Sequence, residues 1–173
     1  MHQVKEVKEM KGWTKDIQSL REKIMIKGVE LEEEKENLIK EIIGTFNDAI
    51  GDIHQSLIKL GFEDNPDHLS HEIFYPSQDK TKDLWVYARW KIYLGKTKKL
   101  ILLVDLCGNG DENPLERIPD RIYLNMPRWK YRNFIWGISI ENLYALFDSW
   151  LDVVNSKIKV KNLEELKIKL SLL

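Results

Sequence analysis

Asp83–Cys107, DLWVYARWKIYLGKTKKLILLVDLC, carries the clearest period-two patterning in the chain, and its reading decides the fold. Successive strand side chains point to opposite sides of a sheet. Leu84, Val86, Ala88, Trp90, Ile92 and Leu94 therefore fall on one expected face, and Trp85, Tyr87, Arg89, Lys91 and Tyr93 on the other. Gly95 to Lys98 supplies a short connection, and Leu100 to Leu106 is apolar at nearly every position, as expected of a strand covered on both sides. The segment predicts a β-hairpin whose second strand is central in its sheet.

Upstream, Val4, Val7, Met10, Trp13, Ile17, Leu20 and Ile24 recur at helical spacing up to Gly28. A second apolar stripe, Leu31, Leu38, Ile42, Phe46, Ala49, Ile50, Ile53, Leu57 and Leu60, predicts a longer helix from about Val29 to Leu60. Carboxylates in LEEEKEN suit the positive end of that helix. The two helices are expected to form an antiparallel hairpin. Asn65-Pro66-Asp67 breaks the pattern, and His71 to Tyr75 reads as a short strand stopped by Pro76.

Downstream, Gly108 to Asp120 forms a long loop, and Arg121–Met126 alternates as a strand. The segment PRWKYRNFIWGI is compatible with loop or strand. Ser139 is placed as the N-cap of a helix to about Asn155 with Ile140, Leu143, Leu146, Phe147, Trp150, Leu151 and Val154 inward, and Asn162 as the cap of a last helix carrying Leu163, Leu166 and Leu170. Together these elements predict an α+β fold: an antiparallel meander sheet of three to five strands flanked by an N-terminal helical hairpin and two C-terminal helices. A single domain over residues 1–173 is expected, with 1–60 a helical hairpin or arm and 70–173 the sheet plus C-terminal helices.

Composition narrows the function classes. The formal net charge is −1, so overall charge predicts no polyanion partner and any nucleic-acid site must be a local patch. The single cysteine, Cys107, excludes an intramolecular disulfide and a Cys-based zinc cluster, which suits a cytoplasmic setting. No apolar run approaches the roughly 20 residues that span a bilayer, and the first residues do not read as a signal peptide, so no membrane association is expected. There is no phosphate-binding glycine loop and no nucleophile elbow. The sequence leaves open whether the chain is an enzyme and implies no cofactor beyond a candidate Ca²⁺ or Mg²⁺ site.

That site is a partial calcium-loop pattern: Asp105, Asn109, Asp111 and Glu116 are the candidate metal ligands, spaced so that oxygens could wrap a hard cation. Cys107 stands at one ligand position and Pro114 inside the loop, and a turn at Gly108-Asn109-Gly110 with solvated acids is the plainer reading. A nuclease-like Mg²⁺ site would draw on Asp83 and Asp105, with Asp111, Glu112 and Glu116 as further ligands, but Cys107 occupies the place where such a site needs a lysine. His68 and His71, beside Asp67 and Glu72, form a possible imidazole pair, with ordinary loop histidines as the alternative.

A second candidate is aromatic and basic. Trp85, Tyr87, Arg89, Lys91 and Tyr93, with Arg128, Lys130 and Arg132 downstream, could stack bases and neutralise phosphates, or could pack beneath a helix. The expected function is a non-catalytic intracellular protein-interaction or regulatory module with a protein partner or self-association. The alternative is a nucleic-acid-binding or metal-dependent nuclease-like protein that uses the basic aromatic sheet face, with single-stranded nucleic acid as partner.

Overall fold

The computed structural model describes residue 19 and residues 32–63, 69–74, 78–79, 84–95, 99–110 and 118–172. The expected first helix and the hairpin it would form lie outside the described residues. Among them are three helices, α1 (Glu32–Lys59), α2 (Ile140–Ile158) and α3 (Leu163–Ser171). The strands are β1 (Leu69–Phe74), β2 (Gln78–Asp79), β3 (Leu84–Leu94), β4 (Lys99–Asn109), β5 (Arg121–Met126) and β6 (Tyr131–Trp136). The fold is α+β. Five strands form an open antiparallel sheet in the order β1-β3-β4-β5-β6, with the two-residue β2 also pairing with β3.

One face of the sheet is covered by α1 and α2. From α1, Ile42, Phe46, Ile50, Ile53 and Leu57 are buried, in the spacing of three and four that makes one helical stripe. Trp90 at the middle of β3 stacks on Phe46 and donates its indole N–H to Asn47 Oδ1 at 3.1 Å, so its only polar atom is satisfied in the core. From α2 every residue expected to face inward is buried, and Trp150 donates to the Met126 sulfur of β5. Fully burying a large apolar side chain of this kind contributes roughly 1.5–3 kcal/mol, which makes this helix–sheet layer the main source of stability. Tyr144 on α2 donates to Asp52 Oδ2 on α1 and ties the two helices together.

Local signals set the ends. Ser139 accepts from the Asn142 N–H, and Asn162 accepts from the Glu165 N–H, each satisfying a first-turn donor. Helix α2 runs past the expected Asn155 to Ile158, and its C-terminus closes on Lys159 in the left-handed region. Gly61, at φ +102°, turns the chain out of α1 so closely against Leu163 that a Cβ there would overlap a Leu163 methyl. No helix among the described residues is long and apolar enough to cross a membrane.

The expected division of β3 into odd and even faces is corrected by two register shifts against β4. Val86 opposes Cys107 and Ala88 opposes Leu106, so Tyr87 is an extra residue in the β3 register. Ile92 opposes Leu102 and Tyr93 opposes Leu100, so Ile101 is extra on β4. A bulge reverses the alternation beyond it. Tyr87 accordingly joins the main core and Trp85 packs against it, the two rings meeting edge to face. Val86, Tyr93, Leu103 and Cys107 are buried but outside that core, on the opposite side of the sheet.

Candidate functional site

The second side of the sheet is assembled by register. Phe74, Arg89, Asp105, Tyr123 and Phe134 lie in one cross-sheet row from β1 to β6. Glu72, Lys91, Leu103, Asn125 and Arg132 form the next row. Cys107, Arg121 and Trp136 continue the pattern on β4, β5 and β6. Directly opposed cross-strand pairs are the contacts that stabilise a sheet surface, so each row is a chain of neighbours.

At the centre this surface is closed. Arg89 and Asp105 form a two-pronged ion pair, Nε to Oδ1 at 2.8 Å and Nη2 to Oδ2 at 3.0 Å. The Asp105 carboxylate is buried, with only 8 % of its side chain accessible, and it turns onto the sheet surface toward Arg89. Beside it the Cys107 thiol is pushed up to about 12, first by burial and then by the Asp105 carboxylate. Such a thiol is neutral at physiological pH and packs as a small apolar group.

At the rims the surface is open, with Phe74 on one side and Phe134 and Trp136 on the other. Phe74 is 40 % exposed, with the Lys91 ammonium 4.6 Å from its ring centre. Phe134 is 51 % and Trp136 60 % exposed, and their rings meet edge to face. Phe134 stacks on Tyr123, and the Arg121 guanidinium lies 3.9 Å from the Trp136 ring centre while pairing with Asp120 at 2.9 Å. Among the described residues no carboxylate pairs with Arg132, which is exposed on the same strand. Cations held over aromatic faces keep these rings extended and ordered in water.

β6 is also one of the two edges of the sheet. It pairs with β5 on one side, and among the described residues no backbone hydrogen bond reaches its other side. Its inward residues hold it in place: Tyr131 and Ile135 pack on the core, and the Tyr131 hydroxyl shares a 2.7 Å hydrogen bond with Ser149 of α2. The result is a fixed strand whose outer amides and carbonyls have no backbone partner among the described residues, next to two exposed aromatic rings.

The expected basic aromatic residues are thus dispersed. Arg89 and Lys91 lie on the second side, Trp85 and Tyr87 lie on the core side, and Tyr93 is buried on the second side. Arg132 is on β6, Lys130 is in the turn before it at φ 51°, and Arg128 belongs to the short 3-10 turn Pro127–Trp129 that precedes Lys130. Of the four metal candidates, Asp105 is engaged by Arg89 and Asn109 ends β4, whereas Asp111 and Glu116, with Asp83 and Glu112, lie outside the described residues. Among the described residues no three His, Cys, Asp or Glu side chains converge to hold a metal ion.

A histidine contact is formed between a helix and a strand. His71 on β1 meets His54 on α1, Nδ1 to Nδ1, with ring centres 4.5 Å apart, and His68 lies outside the described residues. A hydrogen bond between two such nitrogens requires one imidazole to donate and the other to be neutral and accept. Sequence spacing missed this pair because its members are brought together by packing of a helix on a strand. It equally missed Phe74, Arg121, Tyr123, Phe134 and Trp136; the one available signal was the alternation of Arg132, Phe134 and Trp136 with Tyr131, Asn133 and Ile135. Comparison with known proteins finds no matching family model, no matching curated protein and no matching solved structure.

Proposed function

We propose that this chain is a non-catalytic protein-interaction module whose partner docks along the β6 edge and covers Phe134 and Trp136. The observation that carries this reading is the coincidence, among the described residues, of an open sheet edge with the two most exposed aromatic rings of the sheet on the same six-residue strand. Strand addition to such an edge supplies main-chain hydrogen bonds for affinity, and alternate side chains supply specificity. Aromatic and arginine side chains are the usual anchors of protein interfaces. The free thiol of Cys107, buried and inert, fits a reducing cytoplasmic setting.

Protein is favoured over single-stranded nucleic acid by the layout of the surface. A base-stacking platform needs aromatic rings and free cations across the middle of a sheet. Here the middle is closed by Val86, Leu103 and Cys107, and Arg89 is committed to Asp105.

The test places the photo-reactive p-benzoylphenylalanine at position 134 of the full chain and, as a control, at exposed Ala145 on α2, followed by irradiation in intact cells. Position 134 is expected to give adducts that survive nuclease and are lost to protease, with none at 145. Nuclease-sensitive adducts at 134, or equal yields at both positions, would overturn the reading.

A further inference from the structure

We infer that the partner of the β6 edge is a second copy of the same chain, joined by antiparallel β6–β6 pairing into one continuous sheet with Phe134 on the two-fold axis. This rests on the interaction reading above and names the occupant.

The argument is self-complementarity. A symmetric pair of antiparallel edge strands has its axis perpendicular to the sheet, so like faces stay together and residues equidistant from the axis oppose each other. With the axis at residue 134, Phe134 faces its own counterpart, and Arg132 of each copy faces Trp136 of the other. These six side chains, three from each copy, lie on the open side, in register with Asn125, Tyr123 and Arg121 of β5.

Each opposition is chemically favourable. Two phenylalanine rings meet at the centre, each already backed by Tyr123. Trp136 presents one ring face to Arg121 of its own chain, and at 60 % exposure it retains area for a second guanidinium. Arg132, which has no carboxylate partner among the described residues, gains an aromatic one. The two Arg132 side chains are separated by four residues along the ladder, about 13 Å at strand spacing, beyond the screening length of roughly 8 Å at physiological salt.

Other registers match the exposed side chains less well. An axis at residue 133 pairs five residues but leaves Trp136 outside them, and an axis at 135 sets Arg132 against Ile138, which is buried. On the core side the axis at 134 brings Asn133 against Ile135, next to the α2 helices of the two copies. Pairing of five β6 residues from each copy makes a small interface, below about 1,200 Å², so the dimer is expected to be concentration-dependent.

The experiment uses the full chain. Sedimentation from low micromolar to near-millimolar concentration is expected to show a weight-average mass rising from 20.5 kDa toward twice that value. Phe134→Arg, an exposed substitution whose folding is checked by its thermal midpoint, is expected to remain at the monomer mass. Phe134→Cys is expected to form an intermolecular disulfide on mild oxidation, because residues facing each other across the axis lie within disulfide reach. Ala145→Cys is expected to form none, and Cys107 stays out of the exchange because it is buried and neutral.

A mass that stays at 20.5 kDa, dimerisation unaffected by Phe134→Arg, or equal cross-linking at 134 and 145 would each overturn the self-pairing. A monomeric chain whose residue-134 photo-adducts contain a different protein overturns self-pairing alone. A monomeric chain with no protein adduct overturns the interaction reading as well.

Discussion

The guanidinium of Arg121 lies 3.9 Å from the centre of the Trp136 ring, across the β5–β6 register that pairs these two residues. Arg121 is itself gripped by Asp120, whose carbonyl accepts the Gly137 N–H immediately after β6. The exposed indole is therefore held extended at the end of the strand by a contact from its own sheet. A ring ordered before binding loses less conformational freedom when a partner covers it.

Arg121→Ala should release that ring without unfolding the chain. The expected outcome is a loss of self-association of about tenfold, equivalent to roughly 1.4 kcal/mol, with a thermal midpoint lowered by only a few degrees. Sedimentation and a thermal melt on the same sample check it.

The Arg89–Asp105 pair makes a separate prediction about stability. Asp105 is nearly inaccessible while about a third of the Arg89 side chain is in contact with water, so the pair is partly screened. Arg89→Met removes a two-pronged cation from a buried carboxylate and should cost about 1–3 kcal/mol after that discount. Adding Asp105→Leu should recover most of the loss, since replacing both partners by apolar groups removes the buried charge as well. Urea unfolding of the two single variants and the double variant measures the coupling.

How much of this was legible in the sequence depends on the range of the signal. Ser139 and Asn162 were readable as caps because a cap is decided within four residues, and the α1 and α2 stripes because their period repeats over several turns. The hairpin was readable as a hairpin, but its faces were not. The alternation from Leu84 to Leu94 is unbroken in sequence, and the bulge at Tyr87 is set by pairing with β4, with no glycine or proline to announce it. Strand β6 was ambiguous for the opposite reason. Its largest rings, Phe134 and Trp136, point away from the core, so hydrophobicity alone reads it inside out. The His54–His71 contact joins residues 17 apart in different elements and has no local signature.

Alkaline pH should weaken the fold through Cys107. Its folded-state value is raised from an ordinary value near 9 to about 12, so the native state keeps a proton that the unfolded chain gives up. The stabilisation is complete below pH 9 and is lost as pH rises from about 9 to about 12, by an amount of the order of a few kcal/mol. Tyr144, raised by burial and by Asp52, acts in the same direction. Denaturant midpoints across that range should fall, and Cys107→Ala should flatten part of the decline. For the same reason iodoacetamide at pH 8 should modify the native thiol only as fast as the chain opens.

Gly61→Ala should destabilise the junction of α1 with α3. The backbone at φ +102° is strained for any residue with a Cβ, and the added methyl would displace Leu163. A cost of about 1–3 kcal/mol is expected, reduced toward the lower end in a Leu163→Ala background, where the clash is relieved. Thermal or denaturant unfolding of both variants checks it.

The central claim, that β6 is an open edge awaiting a strand, is tested most directly by hydrogen exchange of the six β6 amides in dilute and in concentrated solutions of the full chain. In dilute solution the amides bonded to β5 should exchange slowly and the alternate, outward-facing set should exchange fast. At high concentration the outward set should slow while the inward set stays unchanged. Slow exchange of both sets in the dilute chain, or an outward set that remains fast at every concentration, would contradict the account.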